Sequence, residues 1–275
     1  MKGQEELVRV SIIMGIYNCA ATLPAAIDSL LAQTYQEWKL IMCDDGSTDN
    51  TYEIAENYQS RYPEKIILIR NEKNKGLNYT LNHCLQYADT EFVARMDGDD
   101  LSLPTRLEKE TRFLDENTQY AIVSTPMVYF DDNGDFRVGT DNGEPNAEKM
   151  VVSTPFCHAP CMVRREAYEA VEGYAVRNDR LRVEDWDLWI RMYEKGYKGF
   201  VLSEPLYKMR DDRNAYARRK FKYRINEMRV GASAVKKLKL SKWNYLRTIR
   251  PIIVGLLPAP IYRYLHQKKG KSKLK

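Results

Sequence analysis

Nine residues constrain this chain more than any others: Phe92-Val93-Ala94-Arg95-Met96-Asp97-Gly98-Asp99-Asp100. A short apolar run follows the polar turn Ala88-Asp89-Thr90-Glu91 and goes straight into three carboxylates. The run reads as a buried strand. Unpaired charge in a low-dielectric interior costs several kcal/mol or more, so the carboxylates must emerge at the strand's end. In an open α/β sheet that end is where ligands sit. Asp97 and Asp99 flank a glycine that permits a tight turn, so both can face one hard divalent cation, Mg²⁺ or Mn²⁺. Such an ion, held by one or two carboxylates, usually completes its shell with substrate phosphates.

The chain around this stretch alternates strands and helices. Val10–Ile16 is a strand candidate ending at Tyr17-Asn18, and Thr22 is placed to cap a helix with Pro24 in its first turn. Trp38–Cys43 is a second strand running into Asp44-Asp45-Gly46-Ser47-Thr48-Asp49, after which Ser47 or Thr48 caps a helix that Pro63 stops. Ile66–Ile69 is a third strand, and Leu77, Leu81 and Leu85 mark the next helix. This rhythm predicts right-handed βαβ units and a mostly parallel sheet flanked by helices. Both acidic loops then open on one edge of it. Gly46-Ser47 offers a turn and a helix N-terminus suited to a diphosphate or a base edge, although a plain capping turn explains the same residues.

Charge divides the chain. Met1 to Asp212 holds 24 Lys and Arg against 37 Asp and Glu, whereas Arg213 to Lys275 holds 19 against 1. An acidic body of residues 1–212 is thus followed by a basic extension of residues 213–275. Tyr216–Leu240 reads as a basic amphipathic helix. Pro251–Tyr262 carries no charge, but it is too short to span a bilayer and three prolines interrupt it. With basic residues on both sides and aromatics at its edges, it suits an interfacial anchor on an anionic leaflet, or a piece that packs on the body. The five cysteines lack C-x-x-C spacing and His is scarce, so neither a zinc site nor a disulfide framework is indicated. No apolar signal region follows the start, and the expectation is a cytoplasmic protein on the inner face of the membrane.

In the second half, Ala121–Thr125 and Met127–Phe130 read as further strands, and Asp131–Asp135 after them as a hairpin turn. His158 lies between two prolines just before an apolar strand, where a structural role is the commoner one. Glu184-Asp185 opens a helix in which Trp186, Trp189, Ile190 and Tyr193 share a face and which Gly196 ends. A carboxylate there serves as a cap or dipole partner, contributing ~0.5–1 kcal/mol, or as a general base.

Taken in order, Val10–Asn18, Asp44–Asp49, Ala94–Asp100 with Pro104 and Arg106, Gly173-Tyr174 and Glu184-Asp185-Trp186-Asp187-Leu188-Trp189 resemble the inverting glycosyltransferases of family 2, with their nucleotide-sugar-binding GT-A fold. The likeness covers roughly Val8 to Arg210. It implies that Asp45 holds the nucleobase, that Asp97 and Asp99 hold Mn²⁺ or Mg²⁺, and that Asp185 is the catalytic base. It also places Tyr17, Asn18, Asp44, Arg95 and Arg210 on the donor side, and His158 and Glu184 on the acceptor side. The processive Q-x-x-R-W signature is absent. The implied reaction is transfer of a single sugar from a nucleoside-diphosphate sugar, most simply a UDP-sugar, to a hydroxyl of a glycan or lipid-linked glycan in cell-surface polysaccharide assembly. Two other classes compete. A nucleotidyltransferase making an activated sugar would show a Gly-rich loop near the first strand, where only Gly15 stands. A nucleic-acid-binding protein would use the basic extension but would leave the acidic body and Asp97/Asp99 without a role, so no nucleic acid partner is expected.

Overall fold

The computed structural model describes residues 8–211 and 221–256. The chain opens with β1 (Val10–Ile16), α1 (Leu23–Leu31), β2 (Trp38–Asp44), α2 (Thr51–Arg61), β3 (Ile66–Arg70), α3 (Leu77–Leu85) and β4 (Phe92–Arg95). It continues through β5 (Leu101–Ser102), α4 (Arg106–Glu116), β6 (Ile122–Ser124), β7 (Met127–Asp131), β8 (Gly134–Val138), β9 (Met162–Arg164) and α5 (Arg165–Glu169). After these come α6 (Glu184–Glu194), β10 (Gly199–Val201), β11 (Tyr207–Arg210), α7 (Phe221–Lys237), α8 (Asn244–Thr248) and α9 (Arg250–Leu256).

Seven strands form the main sheet in the order β10-β6-β9-β4-β1-β2-β3. The pairs β1/β2, β1/β4, β2/β3 and β6/β10 are parallel, and only β9 runs against its neighbours. The expected mostly parallel sheet with flanking helices is therefore present. Because side chains alternate across a strand, β1 feeds two cores. Ile12 and Met14 pack with Leu23, Ile27 and Leu30 of α1, while Ile13 packs with Ile41, Leu81 and Val93 on the other face. A smaller sheet, β5-β11-β7-β8, sits beside the end of β4.

β1 lies between β2 and β4, so the strand order reverses around it and leaves a crevice at the carboxyl ends of the three. The register pairs Ile16 with Asp44 and Ile13 with Arg95. Both acidic loops thus leave the sheet on one edge, as expected.

Three local readings change. Ser47 and Thr48 do not cap α2; Asn50 occupies that position, and the two hydroxyl residues bond to Asn18 instead. Thr22 precedes α1 without a side-chain cap, because its hydroxyl donates to Gly98 O at 2.9 Å and so ties α1 to the second acidic loop. The hairpin turn is tighter than Asp131–Asp135, because β7 runs to Asp131 and β8 starts at Gly134, leaving only Asp132 and Asn133 between them.

On the basic side of the charge boundary, α7 packs into the body. Val230 and Ala234 are buried with Met150, Val183, Trp186 and Ile190. A Cβ on Gly231 would stand 2.3 Å from Val151 O, so only glycine allows this approach. From α8 to α9, Asn244, Thr248 and Pro251 face inward, whereas Trp243, Leu246, Ile253 and Leu256 are 59–79% exposed. Residues 257–262 of the uncharged stretch, like 212–220 and 263–275, lie outside the described residues. Among the described residues no helix is long and apolar enough to cross a membrane.

Candidate active site

The first acidic loop is braced from several directions. Asp44, fully buried at the end of β2, accepts from Ser47 N at 3.2 Å and pairs with Arg70 Nε at 3.0 Å. Asp45 Oδ1 accepts from Asn71 Nδ2 and Lys75 N, each at 2.8 Å, and its Oδ2 accepts from Gly76 N at 2.9 Å. Asp45 therefore anchors the 71–76 turn, and Oδ2 keeps acceptor capacity toward a further donor. Gly46 has φ +72°, and a Cβ there would meet the backbone of Lys73 and Asn74 at 2.9–3.0 Å. Asn18, itself at φ +48°, closes the loop against the end of β1: its N donates to Ser47 Oγ and its Oδ1 accepts from Thr48 N. Tyr17 beside it is exposed.

In the second loop the buried Arg95 donates to Asp97 Oδ1 at 2.5 Å, and Asp97 N donates to the Tyr207 hydroxyl at 3.1 Å. Asp100 Oδ1 accepts from Arg210 N at 2.8 Å, the Tyr207 hydroxyl stands by its carboxyl, and its buried Oδ2 has no close hydrogen-bond partner among the described residues. Asp99 stands at the loop's open mouth. Desolvation first, and then Asp97, raise its carboxyl above the ordinary range. Burial, then Asp97 and Asp99, push Asp100 up to about 8. Beneath the loop, Arg106 donates to Arg95 O at 2.9 Å, lies over the Tyr207 ring and pairs with Glu110, both members fully buried. Among the described residues no three His, Cys, Asp or Glu side chains form a preformed metal cage. The donor set fits a hard divalent ion with few protein ligands, since neighbouring carboxylates raised by desolvation and then by one another are relieved by a cation.

The third component is the start of α6. Asp185 is half-buried in its first turn. Desolvation raises its carboxyl; hydrogen bonds from Trp186 N and the Thr154 side chain, and the Arg95 charge, act the other way. Glu184 is raised by burial and by Asp185, and its Oε2 has no partner among the described residues. Trp186 Nε1 donates to Met150 O at 2.7 Å and fixes the helix start against the 3-10 turn Ala147–Val151. His158 Nε2 lies 2.8 Å from the Tyr174 hydroxyl and against the edge of Trp189. Burial, then Arg95, hold His158 well below its usual range, so it is a neutral hydrogen-bonding group.

Arg95 joins these parts. One buried cation thus bonds to Asp97 and reaches Asp99, Asp185, Glu184 and His158 with its charge. Asp44, Asp45, Tyr17 and Asn18 form the neighbouring first loop. Arg210 is turned toward the smaller sheet: its guanidinium bonds to Asp132 at 2.7 Å and lies over Phe130, and its charge reaches Asp99. Sequence reasoning did not assign Tyr207, Thr154 or Asn71 to the site. The signals were a polar residue before a proline for Thr154, at a strand start for Tyr207 and just past a strand end for Asn71.

Comparison with known proteins bears on the family and the fold. Residues 11–171 match the model of the family described as Glycosyl transferase family 2. The putative glycosyltransferase EpsE of Bacillus subtilis (strain 168) is 44% identical over 262 residues, which covers 95% of this chain and 94% of that protein. An Escherichia coli UDP-Glc:alpha-D-GlcNAc-diphosphoundecaprenol beta-1,3-glucosyltransferase, WfaP, is 29% identical over 192 residues, 69% of this chain and 72% of its own. Among solved structures, S. aureus TarS 1-349 in complex with UDP-GlcNAc superposes with a TM-score of 0.68 at 20% identity, covering 97% of this chain and 76% of that one. The mannosyltransferase PcManGT from Pyrobaculum calidifontis, in complex with GDP-Man and Mn2+, gives 0.60 at 17% identity, with 95% and 79% covered.

Proposed function

The chain belongs to glycosyl transferase family 2, a GT-A glycosyltransferase, and we propose that it performs inverting transfer of one sugar from a nucleoside-diphosphate sugar to a hydroxyl of a glycan or lipid-linked glycan. One observation carries the reading. Asp99, on the loop after β4, and Asp185, opening α6, are both carboxyls raised by desolvation, and both lie in the field of Arg95. One carboxylate is then available at the leaving diphosphate and another at the incoming hydroxyl, on separate elements.

In this mechanism Asp45 accepts from the base edge while Asn18 and Ser47 keep its loop closed. Asp97, held by Arg95 and Tyr207, and Asp99 would hold a divalent cation, Mn²⁺ or Mg²⁺, which would supply charge neutralisation at the leaving diphosphate. Asp185 takes the proton from the acceptor hydroxyl as that oxygen attacks the anomeric carbon from the face opposite the diphosphate. The raised affinity of Asp185 for a proton suits a base working near neutral pH. Neutral His158 and Glu184 line the acceptor side. The relatives support uridine as the base, because TarS was solved with UDP-GlcNAc and the E. coli enzyme is named for UDP-Glc. They also support cell-surface polysaccharide assembly, with a lipid-linked acceptor at a membrane. The exposed Trp243, Leu246, Ile253 and Leu256, next to Lys242, Arg247 and Arg250, suit contact with an anionic leaflet.

The test is mass spectrometry of products formed from a panel of nucleotide sugars with glycan and lipid-diphosphate acceptors, with and without EDTA. The expected result is a product heavier by one sugar with one donor, absent in chelator. Nucleotide sugar formed from sugar phosphate and nucleoside triphosphate would instead mark a nucleotidyltransferase.

A further inference from the structure

Two of the four described non-glycine residues with positive φ adjoin the candidate site: Asn18, and Arg182 at φ +68°. A left-handed conformation in a residue with a side chain persists only where the surroundings over-determine it. Arg182 stands three positions before Asp185, so whatever holds its segment also sets where α6 begins.

Two groups hold it. Asp187, nearly buried, accepts from Arg180 Nε at 2.6 Å and from Arg191 Nε at 2.8 Å, tying the segment to its own helix. The other group comes from α7. Asn226, 6% exposed, donates Nδ2 to Leu181 O at 3.1 Å and to Asn178 O at 3.5 Å, the carbonyls just before the strained residue. Val183, the residue after it, is buried with Val230 and Ala234 of the same helix. Through Gly231, α7 also presses on Val151, in the turn that receives the indole of Trp186, the residue next to Asp185. One helix thus touches both supports of Asp185: the loop before it and the turn beside it. The donor-side loops are braced separately, by Asn18, Asn71 and Tyr207.

We propose that α7 belongs to the catalytic architecture and that Asn226 is a positioning residue, holding segment 178–183 so that Asp185 meets the acceptor hydroxyl. This rests on the reading of Asp185 as the base. The basic extension then has a catalytic part, α7, in addition to any surface that α8 and α9 offer a membrane.

The experiment uses the full chain with Asn226→Ala, Gly231→Ala and Asp185→Asn, assayed well below each variant's Tm. Asn226→Ala is expected to lower kcat roughly ten- to a hundredfold, the scale of a misplaced catalytic group, with donor KM and calorimetric UDP affinity unchanged. The acid limb of its kcat–pH profile shifts to lower pH, because water admitted around Asp185 removes part of the desolvation that raises it. Gly231→Ala, which displaces α7 from the turn, gives the same signature and keeps the test open if Asn226→Ala folds poorly. A lower Tm with wild-type kcat and pH profile in both variants overturns the proposal. Asp185→Asn separates the two failures: wild-type turnover there removes the base assignment itself, whereas an inactive Asp185→Asn beside unaffected α7 variants removes only the role of α7.

Discussion

The proposed donor side and the proposed base side of this site are built differently. Donor-side carboxylates follow directly from β2 and β4, so sheet register alone brings Asp44 level with Ile16 and Arg95 level with Ile13. The base side has no such frame. Asp185 opens a helix whose start is fixed by Met150 and Asn226, residues from a 3-10 turn and from α7, both distant in the chain. The first arrangement follows from strand order. The second depends on contacts made only when distant segments have packed, and it is the more easily misplaced by a single substitution far from the chemistry.

If the two sides do separate jobs, substitutions on each should fail in different ways. The largest effect is expected at the second acidic loop. Asp99→Ala should abolish turnover and leave the melting curve close to wild type, since the residue lies at an open loop mouth; activity surviving that change, or surviving excess EDTA, would remove the metal assignment. Asp45→Ala comes next. It should weaken nucleotide binding about tenfold, or ~1.4 kcal/mol, and also lower Tm, because Asn71, Lys75 and Gly76 lose their acceptor. Equal calorimetric affinity with only the lower Tm would reduce Asp45 to an anchor of its turn.

A smaller effect is thermal. Asp100 is pushed up to about 8 by burial, Asp97 and Asp99, against about 3.9 in an unfolded chain. A folded-state value above the unfolded one means that folding takes up a proton. The associated stability is complete below about pH 4 and is lost as pH rises toward about 8. In EDTA, Tm should therefore fall as pH rises across this window, and Mn²⁺ should restore it. Scanning fluorimetry checks this, and a Tm insensitive to both pH and Mn²⁺ would contradict the electrostatic account of the loop. The smallest effect concerns the extension. Trp243→Ala with Leu246→Ala should reduce co-sedimentation with anionic vesicles, and salt should reduce it further, at ~1 kcal/mol per basic residue near the surface. A full-length protein that ignores such vesicles would leave α8 and α9 as packing elements only.

The contrast also explains what the sequence disclosed. Strand positions from Val10 to Arg95 follow from apolar runs that end in polar turns, and that is enough to align the two acidic loops. The general position of α6 followed from its aromatic periodicity. Local capping misled where a long-range partner competed for the same side chain: Thr22 bonds to Gly98 O, and Ser47 and Thr48 bond to Asn18. Arg95 looked like one donor-side residue among several, because no sequence pattern reveals that its charge reaches His158, Glu184 and Asp185. The contribution of α7 was hidden for a related reason. Its abundant Lys and Arg signal a surface, whereas Asn226, Val230, Gly231 and Ala234, which make the inward contacts, carry no charge.

The most direct measurement is Asp185→Asn, with UDP calorimetry in Mn²⁺ and steady-state transfer on the same preparation. The amide preserves size and hydrogen-bonding reach but cannot take a proton. The account predicts wild-type affinity for the nucleotide together with transfer lowered by about 10²–10⁴. Near-normal transfer with stability reduced by about 1 kcal/mol would show that Asp185 only caps its helix and would contradict the division of labour.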